Sequence, residues 1–266
     1  MKIILLGGTK DSINIIQHLK ETLDCHILTT TTTEYGAKLA QEGGSDETIA
    51  RPLPKEEIKE IIINENYDLL IDATHPFASH ITQTSSSISR ELDLPYIRFE
   101  RPSTNLEGVD TSNIHYADSF DDAGKMIADD FSEGNVLHFA GANTMEDILN
   151  HVAVERFYPR ILKVESSIEK CERLGVDPSH IIPMTGAASL EENLELIEKY
   201  DAGVMITKES GEVGGVIEKI QAANEKNVAI VMIQRPKIDG LDENDIVSNL
   251  EELDIIVTNQ TFIIDD

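Results

Sequence analysis

The chain has 266 residues, 40% of them hydrophobic, enough for one large or two modest buried cores. A formal charge of −27 sets it against nucleic acid and anionic lipid as partners. No apolar run approaches the roughly 18 residues of a membrane helix, and the opening run Lys2–Leu6 stops at Gly7-Gly8, so it reads as a buried strand and not as a leader peptide.

In chain order, β-branched apolar runs alternate with segments of helical period, the pattern of parallel sheets with crossover helices. Lys2–Leu6 predicts a strand and Asp11–Leu23 a helix, with Ile13, Ile16, Leu19 and Leu23 near helical spacing. Cys25–Thr30 is the second strand, followed by a short helix near Tyr35–Gln41 and a strand around Glu47–Ala50. A helix over Pro54–Asn64, a strand over Tyr67–Asp72, a helix over Phe77–Leu92 and a strand over Pro95–Phe99 complete a first half. The polar stretch Arg101–Ser112 marks a boundary, giving an N-terminal nucleotide-binding α/β domain over 1–107 and a C-terminal α/β domain over 108–266. The second half predicts helices at Ala123–Asp130, Met145–Asn150, Leu190–Tyr200 and Gly215–Asn224. Its strands fall at Asn135–Phe139, Arg160–Val164, Ile181–Met184, Gly203–Thr207 and Val228–Ile233. An acidic tail over about 239–266 carries a short helix and two candidate strands, Asp254–Val257 and Thr261–Ile264. The two cysteines, Cys25 and Cys171, make neither a disulfide framework nor a zinc site, which suits a reducing cytoplasm.

Ligands of open parallel sheets bind beyond the carboxyl ends of the strands, so the residues just past each strand carry the functional reading. After the first strand, Gly7-Gly8-Thr9-Lys10-Asp11 leads into a helix. Glycine there lets a phosphate approach the backbone, and the helix start supplies free N–H groups. It is not the full dinucleotide fingerprint, and the same residues make an ordinary turn capped by Thr9 or Asp11. After the second strand, Thr30, Thr31 and their neighbours stand where a Rossmann fold meets the adenosine ribose. No acid or arginine precedes Glu34, so NADH and NADPH stay equally open. Asp72-Ala73-Thr74-His75 follows another strand, and His75 can donate a hydrogen bond or a proton, or simply cap the next helix. Arg98, Arg101, Arg160, Lys208 and Arg235 all fall near strand ends, although only 22 Lys and Arg are present in all. Such cations suit an anionic ligand, while each alone also suits a surface ion pair. Further strand-to-helix loops carry Gly141 and Asn143, Gly186 and Ser189, and Ser210 and Gly211. The last of these, Lys208–Gly215, reads as an anion cradle or a mobile lid.

These residues together resemble the precorrin-6A reductases, including the cobalt-precorrin-6A reductases, of corrin (vitamin B12) biosynthesis. The most specific segment is Asp72-Ala73-Thr74-His75-Pro76-Phe77-Ala78, supported by Leu6-Gly7-Gly8-Thr9 and Tyr96-Ile97-Arg98-Phe99-Glu100-Arg101-Pro102. Thr207-Lys208-Glu209-Ser210-Gly211 and Val231-Met232-Ile233-Gln234-Arg235-Pro236 follow in the expected order, so that the likeness covers roughly residues 1–237. Departures fall at Gly186-Ala187-Ala188-Ser189, at Leu162-Lys163 and at the threonines after the second strand.

The resemblance implies two Rossmann-like parallel-sheet halves facing each other across a cleft. NADPH or NADH would reduce a carbon–carbon double bond in precorrin-6A or cobalt-precorrin-6A. The coenzyme would lie on Gly7, Gly8, Thr9, Asp11, Thr30, Thr31, Asp72, Ala73, Thr74 and His75. The acetate and propionate groups of the tetrapyrrole would meet Arg98, Arg101, Gly141, Asn143, Arg160, Gly186, Ser189, Lys208, Ser210, Gly211 and Arg235. His75 or Lys208 would supply the proton that accompanies the hydride, unless water does. No metal site is expected, and any cobalt belongs to the substrate. A tetrapyrrole methyltransferase, another reductase, or a dinucleotide-binding module would be the alternatives on such a fold. The oligomeric state is left open.

Overall fold

A computed structural model describes residues 1–211, 214–238 and 240–264, with side chains to residue 258. The chain divides into two compact units, Met1–Pro102 with Lys237–Asp266, and Ser103–Pro236.

The first unit is built from β1 (Lys2–Leu6), α1 (Lys10–Thr22), β2 (His26–Thr31), α2 (Glu34–Glu42), β3 (Glu47–Ala50), α3 (Lys55–Glu65), β4 (Leu69–Asp72), α4 (Ser79–Leu92) and β5 (Tyr96–Phe99). β1 and β4 are continuous apolar runs buried on both faces, as central parallel strands must be. The helices stop where the sequence supplies a left-handed residue: Asn66 ends α3 and Asp93 ends α4, both at positive φ.

The second unit holds β6 (Ile114–Ala117), α5 (Phe120–Asp130), β7 (Asn135–His138), α6 (Met145–Leu149), β8 (Phe157–Ile161), α7 (Glu165–Arg173), β9 (Ile182–Pro183), α8 (Leu190–Lys199), β10 (Ala202–Lys208), α9 (Val216–Lys226) and β11 (Ala229–Ile233). The chain then returns to the first unit with β12 (Ile246–Val247) and α10 (Leu250–Ile264).

Each unit has one six-stranded sheet with parallel pairing throughout. Their orders are β12-β5-β4-β1-β2-β3 and β6-β11-β10-β7-β8-β9. In the first, the chain winds outward from β1 to β3 and then returns to β4 beside β1. In the second it winds outward from β7 to β9 and returns to β10 beside β7. Each sheet therefore has one point where the winding reverses, β1/β4 and β7/β10, and such a point opens a crevice at the strand carboxyl ends.

Four sequence expectations change. The acidic tail was placed with the second half, but its residues pack into the first. Val247, Leu253 and Val257 share a core with Ile3, Leu5 and Ile71, and β12 pairs with β5. The expected strands at 254–257 and 261–264 are one helix. Leu250, Leu253 and Val257 recur at helical spacing, and this overrides the β-branched composition. The strand expected at Arg160–Val164 lies three residues earlier. Phe157, Pro159 and Ile161 alternate inward, whereas Leu162 and Val164 are exposed. The boundary also falls at 102/103 and not at 107/108, because Leu106 and Val109 pack on the second core. Among the described residues no helix is long and apolar enough to cross a membrane.

Candidate functional site

At the first reversal point the turn after β1 is fastened to the end of β4. Thr9 caps α1, and its hydroxyl accepts from Ser12 N (3.1 Å) and donates to the Ala73 carbonyl (2.8 Å). Ala73 N in turn donates to the Leu6 carbonyl (2.9 Å). Gly7 lies tight against Thr29 and Ser12, so a Cβ there would crowd both. Gly8 is the opposite case. Its φ is +101° and nothing lies within 4 Å of where a Cβ would stand, so a side chain there would enter open space. The amides of Lys10 and Asp11 open the helix, where no intrahelical acceptor exists for them. Asp11 faces Arg101, with Nη2 2.6 Å from its carboxylate. That pairing offsets the one acid in the helix's first turn. Two residues expected on different ligands are thus held on one another.

Asp72 ends β4 with no exposed surface, and Arg98 on β5 is 1% exposed. Arg98 Nη1 lies 2.8 Å from Asp72 Oδ1 and donates to Thr74 Oγ1 at 3.1 Å. Thr74 donates to the same carboxylate through N (2.9 Å) and Oγ1 (2.6 Å). The Tyr96 hydroxyl donates to Asp72 Oδ2 at 3.3 Å, and its acidity is suppressed by burial first and then by the Asp72 charge. Asp72 and Arg98 therefore shape the strand end that presents Thr74 and His75. His75 Nδ1 accepts the Phe77 amide (3.2 Å), which leaves the ring proton on Nε2. Thr30 and Thr31 lie buried at the end of β2. Thr31 Oγ1 donates to the Thr33 carbonyl, and Thr33 caps α2.

The second reversal point brings together the ends of β7 and β10. His138 on β7 is fully buried, and desolvation, followed by the Lys208 charge, pulls its proton affinity down to about 3. Its Nε2 lies 3.1 Å from Thr144 Oγ1, which donates to the Gly141 carbonyl (3.0 Å), so His138 supports the Gly141 turn. Gly141 has φ +88° and no atom within 4 Å of a Cβ position. Asn143 Oδ1 accepts from Lys170 Nζ at 3.4 Å. Lys208 ends β10, where burial lowers its proton affinity. Arg160 on β8 stacks over Phe139 (5.0 Å to the ring centroid), donates to the Gly186 carbonyl (3.3 Å) and is also depressed by burial.

Other expected residues are tied into the loops themselves. Ser189 forms a capping box with Glu192 at the start of α8. Gly211 N donates to Glu209 Oε1 (3.1 Å), which also holds Thr104 N (2.9 Å) and Thr104 Oγ1 (3.1 Å), and Glu209 pairs with Arg235. Ser210 is buried against the position a Gly214 Cβ would take. Glu212 and Val213, in the middle of the expected lid or cradle, lie outside the described residues.

Sequence reasoning passed over Lys219. It is 2% exposed on α9, donates to Thr207 Oγ1 (3.2 Å) and to the Gly214 carbonyl (2.7 Å), and burial with the Arg160 and Lys208 charges lowers it to about 7. The signal was present in the sequence. Val216, Ile220 and Ala223 form the apolar face of α9, and Lys219 falls on the same stripe.

A family model described as precorrin-6x reductase CbiJ/CobK matches residues 2–257. This chain belongs to that family. It is 39% identical over 254 residues to a cobalt-precorrin-6A reductase of Methanothermobacter thermautotrophicus, covering 95% of this chain and 82% of that one. It is 38% identical to a cobalt-precorrin-6A reductase of Methanocaldococcus jannaschii, over 90% and 92% of the two chains. Among solved structures, the CobK precorrin-6A reductase superposes with a TM-score of 0.74 at 16% identity, covering 98% of this chain and 97% of that one, which shows a shared fold. The chain is accordingly an oxidoreductase of corrin assembly that acts on a carbon–carbon double bond.

Proposed function

We propose that the chain reduces cobalt-precorrin-6A to cobalt-precorrin-6B with NADPH, holding the coenzyme at the first unit's reversal point and the substrate's carboxylates on the cations of the second. The contrast between those two crevices carries the reading. The residues of the first fit a dinucleotide: an open turn at Gly8, unpartnered first-turn amides on α1, and an Asp11 charge already offset by Arg101. The residues of the second fit a polycarboxylate: Arg160 and Lys208 stand on β8 and β10, Lys219 of α9 feels both their charges, and among the described residues no carboxylate stands within 4 Å of Arg160 or Lys219.

Preference for NADPH is supported by the end of β2. An acid there would bind a ribose hydroxyl and repel a 2′-phosphate. Here Thr30 and Thr31 lead into α2, whose start is capped by Thr33, so hydroxyls and helix amides face that position and no carboxylate precedes Glu34. The cobalt-containing substrate is supported by the names of the two relatives above. The coenzyme, when bound, supplies the hydride. Lys208 is assigned the proton, because burial makes its ammonium a readier donor than a solvated lysine. His75 is assigned a hydrogen-bonding role through Nε2–H. Its Nδ1 already accepts the Phe77 amide, so a second ring proton would have to break that bond. Both cysteines are buried and free, which supports a reducing compartment such as the cytoplasm.

The test is an anaerobic assay that follows nicotinamide absorbance with cobalt-precorrin-6A, run separately with NADPH and NADH. Turnover with NADPH at a kcat/KM at least tenfold above that with NADH is expected. Equal use of both coenzymes would overturn the preference. Failure to oxidise either in the presence of substrate would overturn the reaction.

A further inference from the structure

Lys219 of the second unit is a buried charge that costs the fold. It is 2% exposed, and its two hydrogen-bond acceptors, Thr207 Oγ1 at 3.2 Å and the Gly214 carbonyl at 2.7 Å, are both neutral. A buried ammonium ordinarily stands beside a carboxylate. The fields that reach Lys219 are instead those of Arg160 from β8 and Lys208 from β10, with Glu218 of its own helix as a minor opposing charge. His138 on β7 faces Lys208, and Glu192 on α8, the helix packed against α9, faces Arg160. The position joins the last residues of β10 to the end of the following loop, at the reversal point of the second sheet.

We propose that Lys219 is a positioning residue of the substrate site: its buried amino group completes a three-cation cluster with Lys208 and Arg160, and it takes up a proton when a substrate carboxylate settles on that cluster. This rests on the reading of the second unit given above. The geometry makes the ammonium form unfavourable in the free protein, since burial and two like charges oppose it. An arriving carboxylate offsets the charges of Lys208 and Arg160 and restores the proton. Substrate affinity and protonation are then linked, with a definite sign. Lys219 holds its proton more firmly in the complex than in the free protein. Affinity is therefore greatest below its free value of about 7 and falls, by up to about tenfold for each pH unit, as pH rises above it. The side chain also ties Thr207 to Gly214, so the strand end that presents Lys208 depends on it.

The experiment is calorimetric binding of cobalt-precorrin-6A, under anaerobic conditions, at pH 8 in two buffers of different ionisation enthalpy, together with the pH dependence of KM from 6 to 9. Wild type is expected to take up a substantial fraction of one proton on binding. Lys219→Met should abolish most of that uptake, raise KM at pH 6 by about tenfold or more, and flatten the KM profile. Lys219→Arg keeps a permanent charge and guards against a variant that fails to fold. It should hold KM within about threefold of wild type at pH 6 and lose the rise at high pH. Unchanged proton uptake and an unchanged profile in either folded variant would overturn the proposal, as would a wild type that turns the substrate over but binds it with no proton uptake in the binding step. The latter two leave the reductase reading standing, whereas a wild type that neither binds nor reduces the substrate overturns both.

Discussion

The two units reverse their winding in the same way yet treat charge differently at the crevice. In the first, Arg98 meets Asp72 and Arg101 meets Asp11, so each arginine there has its own carboxylate. In the second, Glu209 takes Arg235, but Arg160 and Lys219 have no carboxylate within 4 Å among the described residues, and Lys208 depresses both His138 and Lys219. One topology thus yields a crevice whose two arginines are paired with carboxylates and one in which, among the described residues, Arg160 and Lys219 are not. The difference teaches that strand-end position alone does not mark a binding cation. On the proposed reading, the missing counter-charge at Arg160 and Lys219 is what singles them out.

The largest expected effect tests the paired side. Asp72→Ala strands the buried Arg98 charge and should lower stability by about 3–5 kcal/mol in urea unfolding. A double change, Asp72→Leu with Arg98→Met, should recover most of that loss, because no charge then remains buried. Failure to recover would mean that the pair does more than offset itself.

The second unit is tested by acid. The folded His138 titrates near 3 and its ordinary value is 6.5, so the unfolded chain takes up the proton first. Stability is fully present above pH 6.5 and should fall by about 1.4 kcal/mol for each pH unit below it. Urea midpoints measured against pH should show this slope, and His138→Gln should flatten it.

Lys219 gives a smaller effect of opposite convenience. Its folded value is near 7 against an ordinary 10.5, so the unfolded chain holds the extra proton between those limits and stability rises with pH across that window. Lys219→Met should raise the unfolding free energy at pH 7 by about 1–3 kcal/mol. A loss of stability would say that its bonds to Thr207 and Gly214 outweigh its buried charge.

The smallest effect separates capping from binding. Ser189→Ala should lower stability by about 1 kcal/mol through the lost α8 cap. With capping as its whole role, KM for the macrocycle stays unchanged. A raised KM would return Ser189 to the substrate site.

Much of this architecture was legible in the chain because parallel strands are buried on both faces and so write continuous apolar runs, as Lys2–Leu6 and Val228–Ile233 do. The tail was misread because a short β12 and the helix α10 draw on the same β-branched residues, and only long-range packing chose between them. The strand-end glycines and Asp72–His75 were visible as motifs. Whether a cation is compensated was not, since the partners lie far away in sequence: Asp72 with Arg98, Asp11 with Arg101. Lys219 was hidden by habit, as a lysine on a helix is ordinarily a solvated one.

The most direct test of the division between the two crevices is a fluorescence titration of NADPH against wild type, Gly8→Asp and Arg160→Glu. Gly8→Asp is expected to weaken binding at least a hundredfold, by filling the open turn with a like charge, while Arg160→Glu stays within about twofold of wild type. Loss of coenzyme affinity in Arg160→Glu with full affinity in Gly8→Asp would contradict the account and place the coenzyme on the second unit.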